Sequence, residues 1–483
     1  MLLYLTFLFF ITNKINAQIS TKSYFYGPGL RPQFDLPVRY FFIQAVSENG
    51  ALINSFKEDN PFSIKFHSGD NSRTFYANKI LNLKNGTFLV MFRFFKSYEF
   101  LYLQVYLGNE ELVQSPYVLN APIKSPDCNC PIPISQWKSD LTCPNYSFND
   151  TTLDYFPEIQ LEGLDKRVFD KFPHASLVHY TIKDNKIYRK TLGRYTDFKM
   201  FSDELLLYLS RKLILPDMEF FMNLGDWPQE RDKSNPLPII SWCGNKGFYD
   251  VILPTYELTR ATLQGLHRQE LDVLMTYGHV GPQWKDKKKQ ALFRGRDSRQ
   301  ERLDLVEYRR NDTNRYDIGL THFFFFKHDE NKFGPILSRI GFFDFFTYRY
   351  QLCLDGTVAA YRLPYLLSGT SLVFKQDSYY YEHFYRFIHP WIHYVPFTKD
   401  FNELDRLLDW AEANENKVDR IIQSSRRIAE DHLFPDKVLC YVTMLFEEYA
   451  SRLSGKIIVH PDMELVQQST DVCTICKAPR DEF

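Results

Sequence analysis

Phe293-Arg294-Gly295-Arg296-Asp297-Ser298-Arg299-Gln300-Glu301-Arg302 reads as the end of a strand, a glycine, and the Ser/Arg-rich start of a helix. A junction of this kind is a cradle for a diphosphate. Glycine lets a ligand approach the backbone, amides at a helix start face the anion, and guanidinium forks hold phosphate oxygens. The stretch lacks the Lys-Ser/Thr ending of a P-loop and the full dinucleotide glycine pattern. It follows Lys287-Lys288-Lys289, so a solvated basic face is the competing reading. Around it, residues 151–455 alternate strand-like and helix-like pieces. Phe220-Phe221-Met222-Asn223-Leu224 and Ser371-Leu372-Val373-Phe374 are short buried-strand candidates. Leu404, Leu407, Leu408 and Ala411 recur at helical spacing, as do Val438, Val442, Leu445 and Tyr449. This alternation predicts a layered α/β enzyme with its ligand at the carboxyl ends of strands.

Two further segments carry candidate chemistry. Leu215-Pro216-Asp217-Met218-Glu219 leads into a strand that ends at Gly225-Asp226-Trp227-Pro228. An aspartate held between glycine and tryptophan at a strand's end suits a fixed general base, ionised at neutral pH. A turn aspartate is the competing reading. Gly356-Thr357-Val358-Ala359-Ala360-Tyr361-Arg362 offers small side chains that admit a ligand to the backbone, then an arginine to meet a leaving phosphate. A packed helix start with a surface arginine fits equally. Asp217 and Glu219 are read as helix-to-strand connection chemistry rather than metal ligands. His389 and His393 are read as core or rim, and no metal site is expected.

Toward the N-terminus the pattern changes. From 19 to 122 there is no cysteine, and Phe62, Ile64 and Phe66 alternate with polar residues, as do Leu101, Leu103, Val105 and Leu107. Turn material at Glu48-Asn49-Gly50, Ser68–Asn71 and Asn85-Gly86 separates the runs, so this segment is expected to be a β-sandwich. Its edges, Gly27-Pro28-Gly29-Leu30 and Val113-Gln114-Ser115-Pro116-Tyr117, resemble a filamin-type immunoglobulin-like repeat. Residues 123–150 are a Pro/Cys-rich connector.

The ends suggest an address. Leu2–Ile11 is largely apolar but too short for a bilayer, which takes about 20 residues, and Ala17 suits a signal peptidase; 1–17 reads as a cleaved signal peptide. No other segment is apolar for long enough to span a membrane. Residues 456–483 are a tail closing on Arg480-Asp481-Glu482-Phe483, which is similar to endoplasmic reticulum retrieval signals. Eight cysteines suit disulfides in an oxidising lumen. Cys128 and Cys130 are expected to bond elsewhere rather than to each other, and Cys473 with Cys476 to form a local disulfide. Asn85, Asn145, Asn149 and Asn311 begin glycosylation sequons. Lysine plus arginine is 58 against 59 acids, which gives no electrostatic case for nucleic acid.

Taken together, the segments at 215–219, 225–229, 293–302, 358–374 and 389–396 resemble the Rumi-type protein O-glucosyltransferases, most closely members with an N-terminal filamin-like repeat. The likeness runs in order from about 150 to 455. It implies a GT-B-type transferase with two Rossmann-like lobes, UDP-glucose as donor, no cofactor or metal, and a serine of an EGF-like repeat as acceptor. By position it implies Asp226 as catalytic base. Arg294, Gly295, Arg296, Arg302, Thr357, Val358, Ala359, Ala360, Tyr361 and Arg362 fall at the UDP-sugar, and Thr196, Asp197, Phe198, Lys199 and Met200 at the acceptor. Arg296 stands where relatives can carry a small serine. UDP-xylose as donor, or a non-catalytic lumenal adaptor, are the alternatives.

Overall fold

The computed structural model describes residues 19–69, 72, 74–149, 151–267, 271–467 and 473–476. The expected signal peptide and the Arg480–Phe483 signal lie outside the described residues.

The N-terminal segment folds as two antiparallel sheets face to face. One holds β1 (Tyr24–Tyr26), β2 (Arg39–Gln44), β4 (Tyr76–Asn82) and β5 (Thr87–Phe94) in the order β1-β2-β5-β4; the other builds on β3 (Phe62–Ser68) and β6 (Leu101–Leu107), with β7 (Glu110–Glu111) and β8 (Tyr117–Leu119) beside β6. The period-two runs of β3 and β6 put Phe62, Ile64, Phe66, Leu101, Leu103 and Val105 inward, against Phe41, Phe88, Val90 and Phe92. The first sheet is covered on its other face as well. Tyr40, Leu89 and Met91 belong to the core of the rest of the chain, so β5 is apolar almost throughout instead of alternating. Polar ties reinforce this packing. Tyr40 Oη donates to Asp436 (3.1 Å), Arg93 to the Leu263 carbonyl (2.8 Å), and buried Lys212 pairs with Asp35 (3.2 Å).

The connector is structured. Helix α1 (Ile134–Leu141) buries Trp137 and Leu141. Disulfides join Cys143 to Cys440, Cys128 to Cys473 and Cys130 to Cys476. This corrects the expected local Cys473–Cys476 bridge: each partner instead lies across the fold in the connector. Cys243 and Cys353 are free and buried, so the even count does not mean four bridges.

Two sheets make up the larger part. The first contains β9 (Leu177–Lys183), β10 (Lys186–Leu192), β11 (Met218–Asn223), β12 (Ile239–Ser241) and β13 (Val251–Ile252), in the order β13-β12-β11-β9-β10. Strands β11, β12 and β13 are parallel, but β9 runs antiparallel to both β10 and β11. The sheet is therefore mixed, unlike the expected Rossmann-like form. The cause is local: Asp184 and Asn185, both at positive φ (51° and 56°), turn the chain straight back. Glu464–Leu465 pairs with β10 as an edge strand, so part of the expected tail belongs to this sheet.

The second sheet is all parallel: β14 (Lys288–Arg296), β15 (Tyr316–His322), β16 (Tyr348–Cys353), β17 (Leu372–Gln376) and β18 (Val395–Phe397), in the order β15-β14-β16-β17-β18. Crossover segments link the strands, as parallel pairing requires, with helices Gln300–Arg309 between β14 and β15 and Leu363–Ser368 between β16 and β17. Leu404, Leu407, Leu408 and Ala411 are the buried stripe of the helix Glu403–Ala413. Val438, Val442, Leu445 and Tyr449 are buried on the helix Pro435–Ser451. Gly244–Asn245 pairs with Tyr380–Tyr381, a short ribbon that links the two halves. Among the described residues, no helix is long and apolar enough to cross a membrane.

Candidate active site

Strand ends converge on a cavity of about 440 Å³, within the range of small-molecule sites. Asp226, three residues beyond β11, lines it. So do Arg294, Gly295 and Arg296 at the end of β14, Arg302 on the helix Gln300–Arg309, and the Thr357–Arg362 loop after β16. The fold thus brings together the expected base and all ten residues expected at the donor.

Asp226 is half-buried, and burial raises its pKa, with the nearby Arg296 charge acting in the opposite direction. Its loop is held from below. Asn223 Nδ2 donates to the Trp227 carbonyl (2.7 Å) and to Ser241 Oγ (3.1 Å), and its Oδ1 accepts the Gly225 amide (2.9 Å). Asp250 accepts the Gln229 and Glu230 amides (2.8 and 2.9 Å) and the Ser241 hydroxyl (2.7 Å). Burial pushes the Asp250 carboxyl up to about 6. These groups fix where Asp226 stands.

Five arginines line the cavity, and the four expected at the donor differ. Arg294 is paired with Asp317 (2.5 Å). Arg296 is exposed and stands over the Phe324 ring. Arg302 is buried and donates to the carbonyls of Asp355 (2.6 Å), Leu354 (3.0 Å) and Arg296 (3.1 Å) and to Ser298 Oγ (3.4 Å). It braces both loops that carry the residues expected at the donor. Desolvation, with Arg362 nearby, lowers its pKa to about 9. Gly295 is needed beside it, since a Cβ there would stand 2.9 Å from Phe293 and 3.1 Å from Arg302. Arg362 donates to the Arg294 carbonyl (2.6 Å). Among the described residues, Arg296, Arg302 and Arg362 have no carboxylate within ion-pair distance, so their charge is left for an anion. Lys287 is buried against Thr370 (3.2 Å) and Ser371 (3.3 Å), which removes it from any solvated basic face.

The Thr196–Met200 segment does not line the cavity. Thr196, Asp197 and Phe198 form a short turn, and Lys199 and Met200 open helix α2 (Lys199–Lys212). Phe198 packs edge-on against Tyr256 (5.0 Å), which does line it. Asp217 accepts the Asp184 amide (2.9 Å) and pairs with Lys183, clamping the β9–β10 hairpin. Glu219 lies within β11, not before it, and bonds His179 (2.9 Å). The His389 amide donates to His393 Nδ1 (2.8 Å) in an exposed turn. Asn85, Asn145, Asn149 and Asn311 are all exposed. Among the described residues the one cluster with metal-ligand spacing is Cys128, Cys473 and Cys476, whose sulfurs are in disulfides. Cys243 donates to the Asp226 carbonyl (3.4 Å), and burial pushes its thiol up to about 12, so it stays protonated.

Two residues absent from the sequence reading also line the cavity: Tyr256 and Glu257, which open helix α3 (Tyr256–Gln264). Buried Asp297 accepts the amides of Phe324, Phe325 and Phe326 (2.9, 2.8 and 2.8 Å), fixing the loop after β15. Residues 138–482 match the profile of glycosyl transferase family 90. The chain belongs to this family. Its similarity to the protein O-glucosyltransferases extends nearly end to end. It is 42% identical to zebrafish (Danio rerio) protein O-glucosyltransferase 2 over 473 residues, covering 96% of this chain and 95% of the relative. It is 43% identical to human protein O-glucosyltransferase 3 over 471 residues, 95% and 92% of the two chains. Human protein O-glucosyltransferase 1 is 27% identical over 307 residues, 61% of this chain and 78% of the relative. Among solved structures, the Lin-41 filamin domain aligns with 22% of this chain and 93% of its own at 11% identity and a TM-score of 0.18, too weak a likeness to support a fold assignment. As a member of family 90 the chain is a glycosyltransferase.

Proposed function

We propose that the chain is a protein O-glucosyltransferase of the endoplasmic reticulum lumen, moving glucose from UDP-glucose to a serine hydroxyl of an EGF-like repeat with inversion at the anomeric carbon. One observation carries the reading. A single cavity joins a half-buried carboxylate from the first sheet to Arg296, Arg302 and Arg362 from the second, which lack carboxylate partners among the described residues. The relatives' names support glucose and a protein acceptor. The two sheets meeting at the cavity support a GT-B-type arrangement, and the N-terminal sandwich supports a filamin-type repeat. The lumenal address, with retrieval by a receptor, rests on the 1–17 and 480–483 segments and on the three disulfides.

In this mechanism Asp226 takes the serine proton as the serine oxygen bonds to C1 of the sugar. The bond from C1 to the β-phosphate oxygen breaks on the opposite face, and its electrons leave with UDP. The Arg302 guanidinium makes four hydrogen bonds to the fold. From the cavity wall its charge, with Arg296, Arg362 and the 357–361 amides, meets the departing charge. No divalent ion is needed to balance it.

The test is incubation of purified protein with UDP-glucose or UDP-xylose and a folded EGF-like repeat, read by intact mass. Addition of one hexose is expected; addition of a pentose instead, or no addition, contradicts the proposal.

A further inference from the structure

Among the described residues two carboxylates line the cavity, and the mechanism uses one. The other is Glu257. It stands in the first turn of α3, but Thr255 Oγ1 already caps that helix by accepting the Leu258 amide (3.4 Å). The Glu257 side chain is exposed, and its carboxylate has no hydrogen-bond or ion-pair partner among the described residues. The charges that act on it are those of Arg362, Arg296 and Asp226. Arg362 instead directs an N–H to the Arg294 carbonyl.

This placement is informative. Glu257 lies within electrostatic reach of the acid at the acceptor end and of two arginines at the leaving-group end. A sugar whose C1 faces Asp226 while its phosphate faces Arg296 and Arg362 fills the space between them, beside Glu257. A hexose there presents several hydroxyl donors, and a carboxylate is an acceptor only. Hydrogen bonds of this charged type are stronger than neutral ones.

We propose that Glu257 is a sugar-recognition residue: its carboxylate accepts hydrogen bonds from hydroxyls of the donor hexose and favours glucose over a pentose lacking the hydroxymethyl group. The assignment rests on the UDP-sugar reading of the cavity.

The test uses the full chain, wild type and Glu257→Ala, Glu257→Gln and Glu257→Asp, with UDP, UDP-glucose and UDP-xylose as probes in calorimetry and steady-state kinetics. In Glu257→Ala, UDP-glucose should bind about 10- to 100-fold more weakly while UDP binds as in wild type. The glucose-to-xylose ratio of kcat/KM should narrow, and Glu257→Asp should recover part of the loss. Equal weakening of UDP and UDP-glucose would show that Glu257 acts through Arg362 on the diphosphate, and would overturn the assignment. Unchanged UDP-glucose affinity in Glu257→Ala would overturn it too. So would loss of the acid limb of the pH–kcat profile in Glu257→Gln, which would make Glu257 the base. Wild-type protein that binds neither UDP nor UDP-glucose would remove the donor reading itself, a result distinct from the other three.

Discussion

Asp250→Asn separates what stabilises the fold from what positions Asp226. The wild-type carboxylate accepts the Gln229 and Glu230 amides and the Ser241 hydroxyl. Asparagine keeps the shape but turns one oxygen into an NH2 group that faces another donor. Losing one charge-assisted bond and leaving one buried N–H unsatisfied costs about 2–4 kcal/mol. Against this stands the burial of the charge, which holds the wild-type carboxyl up from 3.8 to about 6 despite those bonds. Keeping it ionised at neutral pH therefore costs on the order of 3 kcal/mol, and asparagine removes that cost. The two effects nearly cancel, so unfolding free energies at neutral pH should agree within about 2 kcal/mol. The folded pKa is raised, so this group's contribution is fully present below the unfolded value and is lost as pH rises through the folded one. Wild type should lose stability relative to Asp250→Asn between about pH 4 and about pH 7, as read by urea unfolding. Activity should not be spared. The Gln229 and Glu230 amides anchor the Asp226 loop, and a shift of about 1 Å in a reacting group lowers kcat on the order of 100-fold. Wild-type kcat in a folded Asp250→Asn variant would refute the positioning role. Parallel pH–stability curves would refute the buried ionised carboxylate.

Other perturbations follow from the same geometry. Arg302→Lys replaces a planar fork by a single ammonium that cannot reach carbonyls on both loops; donor kcat/KM should fall at least about 10-fold, and an unchanged value would mean the brace is dispensable. Burial raises the Asp226 pKa, and the base works ionised, so kcat should fall as pH drops through a pKa above that of free aspartate. An acid limb at or below the free value would contradict this. Removing the Cys143–Cys440 bridge, which closes a loop of 297 residues, should destabilise the protein by about 2–5 kcal/mol in urea unfolding under non-reducing conditions; unchanged stability would contradict a structural role. EDTA should leave transfer intact, and a clear loss restored by a divalent ion would contradict charge balance by arginine.

Much of the fold can be read from local patterns. Alternation in Phe62–Phe66 and Leu101–Leu107 marks strands with one buried face, and Leu404 to Ala411 marks a helix with one buried stripe. The strand-glycine-helix order at 293–302 places four residues expected at the donor at one cavity. What the sequence hides depends on long-range pairing. Thr87–Phe94 is covered on both faces, so it does not alternate, and the sandwich is part of a larger core. Cys473 and Cys476 look like a local pair, but their partners lie 345 and 346 residues away. Asp250 supports the Asp226 loop through bonds that no spacing rule anticipates. Glu257 follows the helix cap at Thr255, where an acid is ordinary, and only the cavity distinguishes it.

The central claim is tested most directly by Asp226→Asn, measured for UDP binding by calorimetry and for transfer to a folded EGF-like repeat by intact mass. Undiminished UDP affinity with no glucosylated product is the predicted result. Product formed at the wild-type rate would contradict the account.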